Sequence, residues 1–140
     1  MTREVTVVPP GLSLIAAHAV MKRKRIRHLP VVQAGALLGI LSDRDVLVRA
    51  TQRKDGSLDV PDDPVAVAMA PAPIVCEPTT SVAELARIMT EQKIDAIPVM
   101  NGSRMVGLVT STDLLLLLVG RHEARPLPFE FRVVEEEEAA

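Results

Sequence analysis

HLPVV at residues 28–32 returns as AIPVM at residues 96–100. The same spacing of 68 residues relates Pro10 to Pro78, Ser13 to Ser81, Met21 to Met89, Gly39 to Gly107, Ser42 to Thr110 and Asp45 to Asp113, with no gap between them. Self-similarity at a fixed period marks a duplicated supersecondary unit, and it has to be read before any single segment. Each copy opens on a short β-type run, Val5 to Val8 and Ile74 to Cys76, that gives way to proline. A helix follows. In the second copy Ser81 and Glu84 have capping-box spacing, and Val82, Leu85, Ala86 and Met89 fall at i, i+3, i+4 and i+7. Ser13 caps the equivalent helix, whose inward stripe is Leu14, Ala17, His18 and Met21; the matching Glu is missing.

After each helix come two β-rich runs around a small-residue turn: Leu29 to Val32, Ala34-Gly35, then Leu37 to Leu41; and Ile97 to Met100, Asn101-Gly102, then Met105 to Val109. Strand, turn, strand is a hairpin. A second helix starts near Asp43 or Ser111, so each half reads β-α-β-β-α, with a polar linker over 51–63 and a short apolar helix over 65–69. A half of about 60 residues buries too little surface to stand alone, so the two sheets are expected to pack together about a pseudo-twofold axis in an α+β, sandwich-like fold.

Composition narrows the function classes. Apolar residues are 48% and charged residues 24% of the 140, with two Phe and neither Tyr nor Trp. The core must be aliphatic, and the rings on which single-stranded nucleic acid stacks are nearly absent. A net charge of -2 gives no global attraction to nucleic acid or anionic membranes. Cys76 is the single cysteine, so one chain builds neither a disulfide nor a thiolate cluster. Three scattered His give no metal-site spacing, and no nucleophile, base and orienter stand in a pattern that suggests catalysis. The most hydrophobic run, Leu114 to Val119, falls far short of the roughly 20 residues that span a bilayer. The start, MTREVTVVPP, has no signal-peptide pattern, and a cytoplasmic protein is expected.

GILSDRD at 39–45 and GLVTSTD at 107–113 repeat a pattern of glycine, two apolar residues, Ser or Thr, and Asp three further on, where a strand passes into a helix. A helix start offers unpaired amides and partial positive charge to a phosphate. Ser42 or Thr110 can add a hydroxyl donor there, and Asp45 or Asp113, one turn on, can accept both hydroxyls of a ribose. The competing reading is that these aspartates only cap their helices. Together with the hydrophobic-Pro-Val strand and the duplication, the pattern resembles the cystathionine-β-synthase (CBS) domain family over about residues 5–120. The resemblance implies two CBS repeats, 1–60 with the start of the linker and 61–124, followed by a tail, 125–140, partly extended or disordered. It implies a regulatory sensor that needs no cofactor and binds AMP, ADP, ATP or a related adenosyl ligand such as S-adenosylmethionine between the repeats. The aspartates would hold ribose, the Ser or Thr phosphate, and a slot formed by Thr6, Val7 and Val8, or by Ile74, Val75 and Cys76, the base. The alternative is a scaffold or dimerisation protein with vestigial clefts.

Arg27 and His28 precede the first HLPVV strand where Asp95 and Ala96 precede its copy, so the first half is expected to hold phosphate better. The run Lys22, Arg23, Lys24, Arg25 reads first as a solvated helix end, second as a funnel for an anion. His122 is expected to be exposed. The tail alternates Phe129, Phe131 and Val133 with Glu130 and Arg132, which suggests a short strand or an extended segment packed on another chain, and the run Glu135 to Glu138 that follows reads as disordered, solvent-facing charge. A homodimer and an unidentified protein partner are expected, and binding to nucleic acid or membrane is not.

Overall fold

The computed structural model describes residues 4–121 and 124–136. The first half is α1 (Leu14–Lys24), the hairpin β1 (His28–Gln33) and β2 (Ala36–Ser42), and α2 (Asp43–Arg49). The linker carries β3 (Thr51–Gln52), β4 (Leu58–Asp59), a 3-10 turn over Val65–Val67 and β5 (Ala70–Pro71). The second half is α3 (Val82–Gln92), β6 (Ala96–Asn101), β7 (Arg104–Thr110) and α4 (Ser111–Gly120). The spacing read from the sequence holds at the first residue of every paired element and at the last of all but α2 and α4. The fold is the expected mixed α and β one, with the β1-β2 and β6-β7 sheets in contact through β2 and β7.

Local chemistry explains the repeat. The Ala16 amide donates to Ser13 Oγ at 3.1 Å and the Glu84 amide to Ser81 Oγ at 3.1 Å, so both long helices are capped as expected. The second half of the box at Ser81 does not form, because the Glu84 carboxylate is taken by the Arg87 guanidinium on the same exposed face. Leu14, Ala17 and Met21 are buried on α1 and Leu85 and Met89 on α3. His18 is only half-buried and Val82 is exposed, since each lies at the margin of the inward stripe. His122 lies outside the described residues.

The initial β runs are shorter than expected. Val8 and Cys76 each make a single parallel bridge, to Val31 and Val99. The Val8 amide donates to Pro30 O at 3.0 Å and the Val32 amide to Val8 O at 2.9 Å, and Cys76 repeats the arrangement with Pro98 and Met100. Pro9 and Pro10 have no amide to extend the ladder. The expected polar linker contains the β3-β4 hairpin: Gly56 turns it at φ 89, and Asp55 Oδ1 accepts from the Ser57 amide at 2.9 Å.

The halves are packed unequally. The first core includes the fully buried Leu14, Leu29, Leu41 and Val46, and the linker adds Val65, held by a bond from its amide to Leu12 O at 2.8 Å. The second core has only Cys76, Leu85, Met89 and Ile97 buried. β5 pairs with β2, Gly39 opposite Pro71. A Cβ on Gly39 would sit 2.6 Å from Ala70 O and 2.8 Å from Met69 Sδ, whereas one on Gly107 would meet Val99 at an ordinary 3.6 Å. Gly39→Ala is therefore expected to cost about 1–3 kcal/mol, the usual range for overpacking. Gly107→Ala should stay within about 0.5 kcal/mol of the parent. Urea unfolding of the two variants checks this, and equal midpoints would contradict the close approach of β5.

Candidate functional site

Two clefts flank the contact between the halves, and each is walled by both. The first, about 360 Å³, is lined by Ser42 and Asp45 with Arg27 and His28 from the first half, and by Ile74, Lys93 and Asp95 from the second. The second, about 690 Å³, is lined by Thr110 and Asp113 from the second half, and by Glu4, Thr6, Arg25, Arg27 and His28 from the first. Both volumes lie within the ~300–1,000 Å³ of small-molecule sites.

The Ser42 amide donates to Asp45 Oδ2 at 2.8 Å while the Asp45 amide donates to Ser42 Oγ at 3.1 Å, a closed capping box. Thr110 and Asp113 repeat it: the Thr110 amide and hydroxyl donate to Asp113 Oδ2 at 2.8 and 3.1 Å, and the Asp113 amide reaches Thr110 Oγ1 at 3.4 Å. Each box fixes the carboxylate at the head of a helix. It uses one carboxylate oxygen, and a carboxylate offers about four lone-pair sites. Capping and a place in a cleft wall therefore coexist, and the two readings of the sequence are not exclusive.

Ser42, Asp45, Arg27, His28 and Ile74 meet in the first cleft, and Thr110 and Asp113 in the second. The expected base slots are split, because only Val8 and Cys76 are bridged to a strand and the residues before them leave it. Thr6 and Ile74 line clefts, Val7 and Val75 are exposed away from both cleft walls, and Val8 and Cys76 point into the cores. Burial pushes the Cys76 thiol up from its ordinary value, as suits a packing residue.

The assignment of charges to halves also needs correction. Asp95 lines the cleft of Asp45, and Arg27 and His28 line both clefts. β1 pairs His28 with Ser42, which puts Arg27 beside its own helix start, and the facing halves then carry it to the other cleft as well. Lys93 and Glu4 are cleft residues that the sequence reading does not name, and Arg25, named there only as part of the basic run, lines the second cleft. Lys93 and Arg25 stand at equivalent positions, each ending a helix in the left-handed region with φ 54 and 55. A basic residue at the same point of both copies is the signal that finds Lys93; Glu4 has no counterpart that would mark it.

His28 is half-buried, and burial lowers its pKa from the ordinary 6.5, with Arg27 adding to the effect and Asp95, Asp43 and Asp45 opposing it. The unfolded chain then binds more protons than the folded one, so stability contributed here is full above about pH 6.5 and is lost as pH falls through the depressed folded value. Between pH 7.5 and 5.5 the parent should lose more stability than His28→Gln, as followed by urea midpoints. Parallel losses would contradict it.

Two like units joined face to face, with clefts walled by both, define a tandem-repeat module rather than two independent domains. The chain belongs to the CBS domain family, whose model matches residues 1–50 and 62–120. The CBS domain-containing protein YhcV of Bacillus subtilis (strain 168) is 31% identical over 115 residues, which cover 81% of this chain and 79% of that protein. The crystal structure of CBSX2 in complex with AMP is similar at a TM-score of 0.72 and 23% identity, covering 86% of this chain and 91% of that one. The CBS domain pair of MJ0100, in complex with 5-methylthioadenosine and S-adenosyl-L-methionine, is similar at a TM-score of 0.71 and 24% identity, covering 86% and 93%. At that level of identity these structures share the fold.

Proposed function

We propose that this CBS pair is a regulatory module that binds an adenosine nucleotide, AMP, ADP, ATP or an adenosyl relative such as S-adenosylmethionine, in its composite clefts, and carries out no catalysis itself. The observation that carries this is the placement of Asp45 and Asp113, each fixed at a helix start in the wall of a cleft that both halves build. The adenosine ligands of CBSX2 and MJ0100 support the choice of ligand class. Because each cleft has walls from both repeats, a ligand that prefers one relative packing shifts the module toward it, by no more than its differential affinity. That shift is what a partner reads.

The ranking of the clefts reverses the expectation from the sequence. The Asp113 cleft is the roomier, has Arg25 and Arg27 beside Glu4 in its wall but not Asp95, and opens at the ten-residue α4 rather than the seven-residue α2. It is the better phosphate site; the Asp45 cleft suits an uncharged adenosyl group. We further propose a cytoplasmic homodimer, supported by the exposed leucines of α4.

A second reading, a scaffold with vestigial clefts, is favoured by the capping boxes, which give both aspartates a structural role. Thermal denaturation with AMP, ADP, ATP and S-adenosylmethionine separates the two. A ligand at 100 times its dissociation constant should add about 2.7 kcal/mol. A flat response to all four would leave the scaffold.

A further inference from the structure

Two apolar surfaces of this chain are open to water. On α4, Leu114 packs on the second core, but Leu115, Leu116, Leu117, Leu118 and Val119 are 47% to 68% exposed. Consecutive helix positions turn by about 100°, so these side chains point in every direction, and a helix apolar all round is a helix covered from more than one side. The other surface is the extended tail, where Leu127, Phe129, Phe131 and Val133 are 59% to 92% exposed. The rings of Phe129 and Phe131 meet edge to face at 5.5 Å, forming a small apolar ridge. Each would bury on the order of 150–250 Å² against a partner surface.

The tail and α4 adjoin in sequence, yet both stay exposed, so neither covers the other within one chain. We infer that the tail of one copy lies along α4 of a second copy, reciprocally, as an exchanged arm. A second copy is the one occupant that removes both surfaces at once, and a twofold dimer makes the exchange symmetric. Packing of α4 on its counterpart covers one side of the helix; the arm covers another. Alternation suits the arm to this, because Phe129, Phe131 and Val133 turn to the helix while Glu130 and Arg132 face water. Residues 121–126, the link, reach about 20 Å when extended, twice the ~8–10 Å between packed helix axes.

This rests on the homodimer proposed above, and the test separates the two. Protein carrying a benzophenone photocrosslinker in place of Phe131 is mixed, as equal parts of unlabelled and nitrogen-15 chains, irradiated and digested. Cross-links from position 131 to the α4 peptide that join a labelled to an unlabelled partner are expected. Cross-links only within one isotope, or to other segments, would overturn the exchange. Sedimentation equilibrium of the full chain and of a chain lacking 122–140 should show a dimer whose dissociation constant rises at least tenfold on truncation. A full chain that stays monomeric removes the dimer and the arm together. A dimer unchanged by truncation removes the arm alone.

Discussion

Asp113→Ala is expected to weaken binding of a phosphorylated adenosine nucleotide by about a hundredfold, and Asp45→Ala by less than about tenfold. An ionised carboxylate accepting two ribose hydroxyls makes two charge-assisted hydrogen bonds, worth about 1.5–3 kcal/mol each. Even the lower end amounts to about 3 kcal/mol, or two decades in dissociation constant. The inequality follows from the room and the helix at each cleft: Asp113 stands in the larger cleft at the start of the ten-residue α4, Asp45 in the smaller one at the start of the seven-residue α2. Losing the carboxylate also opens a capping box, at about 0.5–2 kcal/mol of stability. Asp113→Asn keeps a side-chain oxygen for the cap and removes the charge, so it should remain folded and still bind poorly. Calorimetric titration of all three variants at one salt concentration checks this. A larger loss in Asp45→Ala would return the phosphate site to the first cleft.

Ile97→Ala is expected to cost about 2–5 kcal/mol, the range for truncating a fully buried aliphatic side chain. Ile97 has no exposed surface and lies under Cys76, Leu85 and Met89, the other buried members of the second core. With so few buried neighbours and no linker residue to compensate, the site has little with which to fill the cavity. For a chain of this length each kcal/mol lowers the melting temperature by roughly 3–5 °C, so a drop of about 10 °C or more is expected. Leu116→Ala, at 53% exposure, should leave the unfolding of a dilute monomer nearly unchanged. A small shift for Ile97→Ala would mean the second half is held together by something other than its core.

The repeat was legible because duplication without insertion keeps every counterpart at one spacing, and the capping boxes at Ser42 and Thr110 follow from residue types three apart. What periodicity does not encode is which wall faces which. By sequence Asp95 belongs to its own half, but the approach of β2 to β7 puts it across the first cleft. Val8 and Cys76 enter the expected slots through the resemblance alone, and the single bridge each makes to its hairpin is what turns it into the core. The β3-β4 hairpin was hidden in a polar stretch although its Asp55-Gly56 pair is a strong turn signal. β5 gave no signal, being two residues whose pairing with β2 is set by the tertiary fold.

The crystal structure of the full chain grown with saturating AMP is the most direct measurement. The ribose hydroxyls should lie within about 3.2 Å of the Asp113 carboxylate, with the phosphate toward Thr110, Arg25 and Arg27. A nucleotide bound elsewhere, or both clefts empty at saturation, would contradict the sensor.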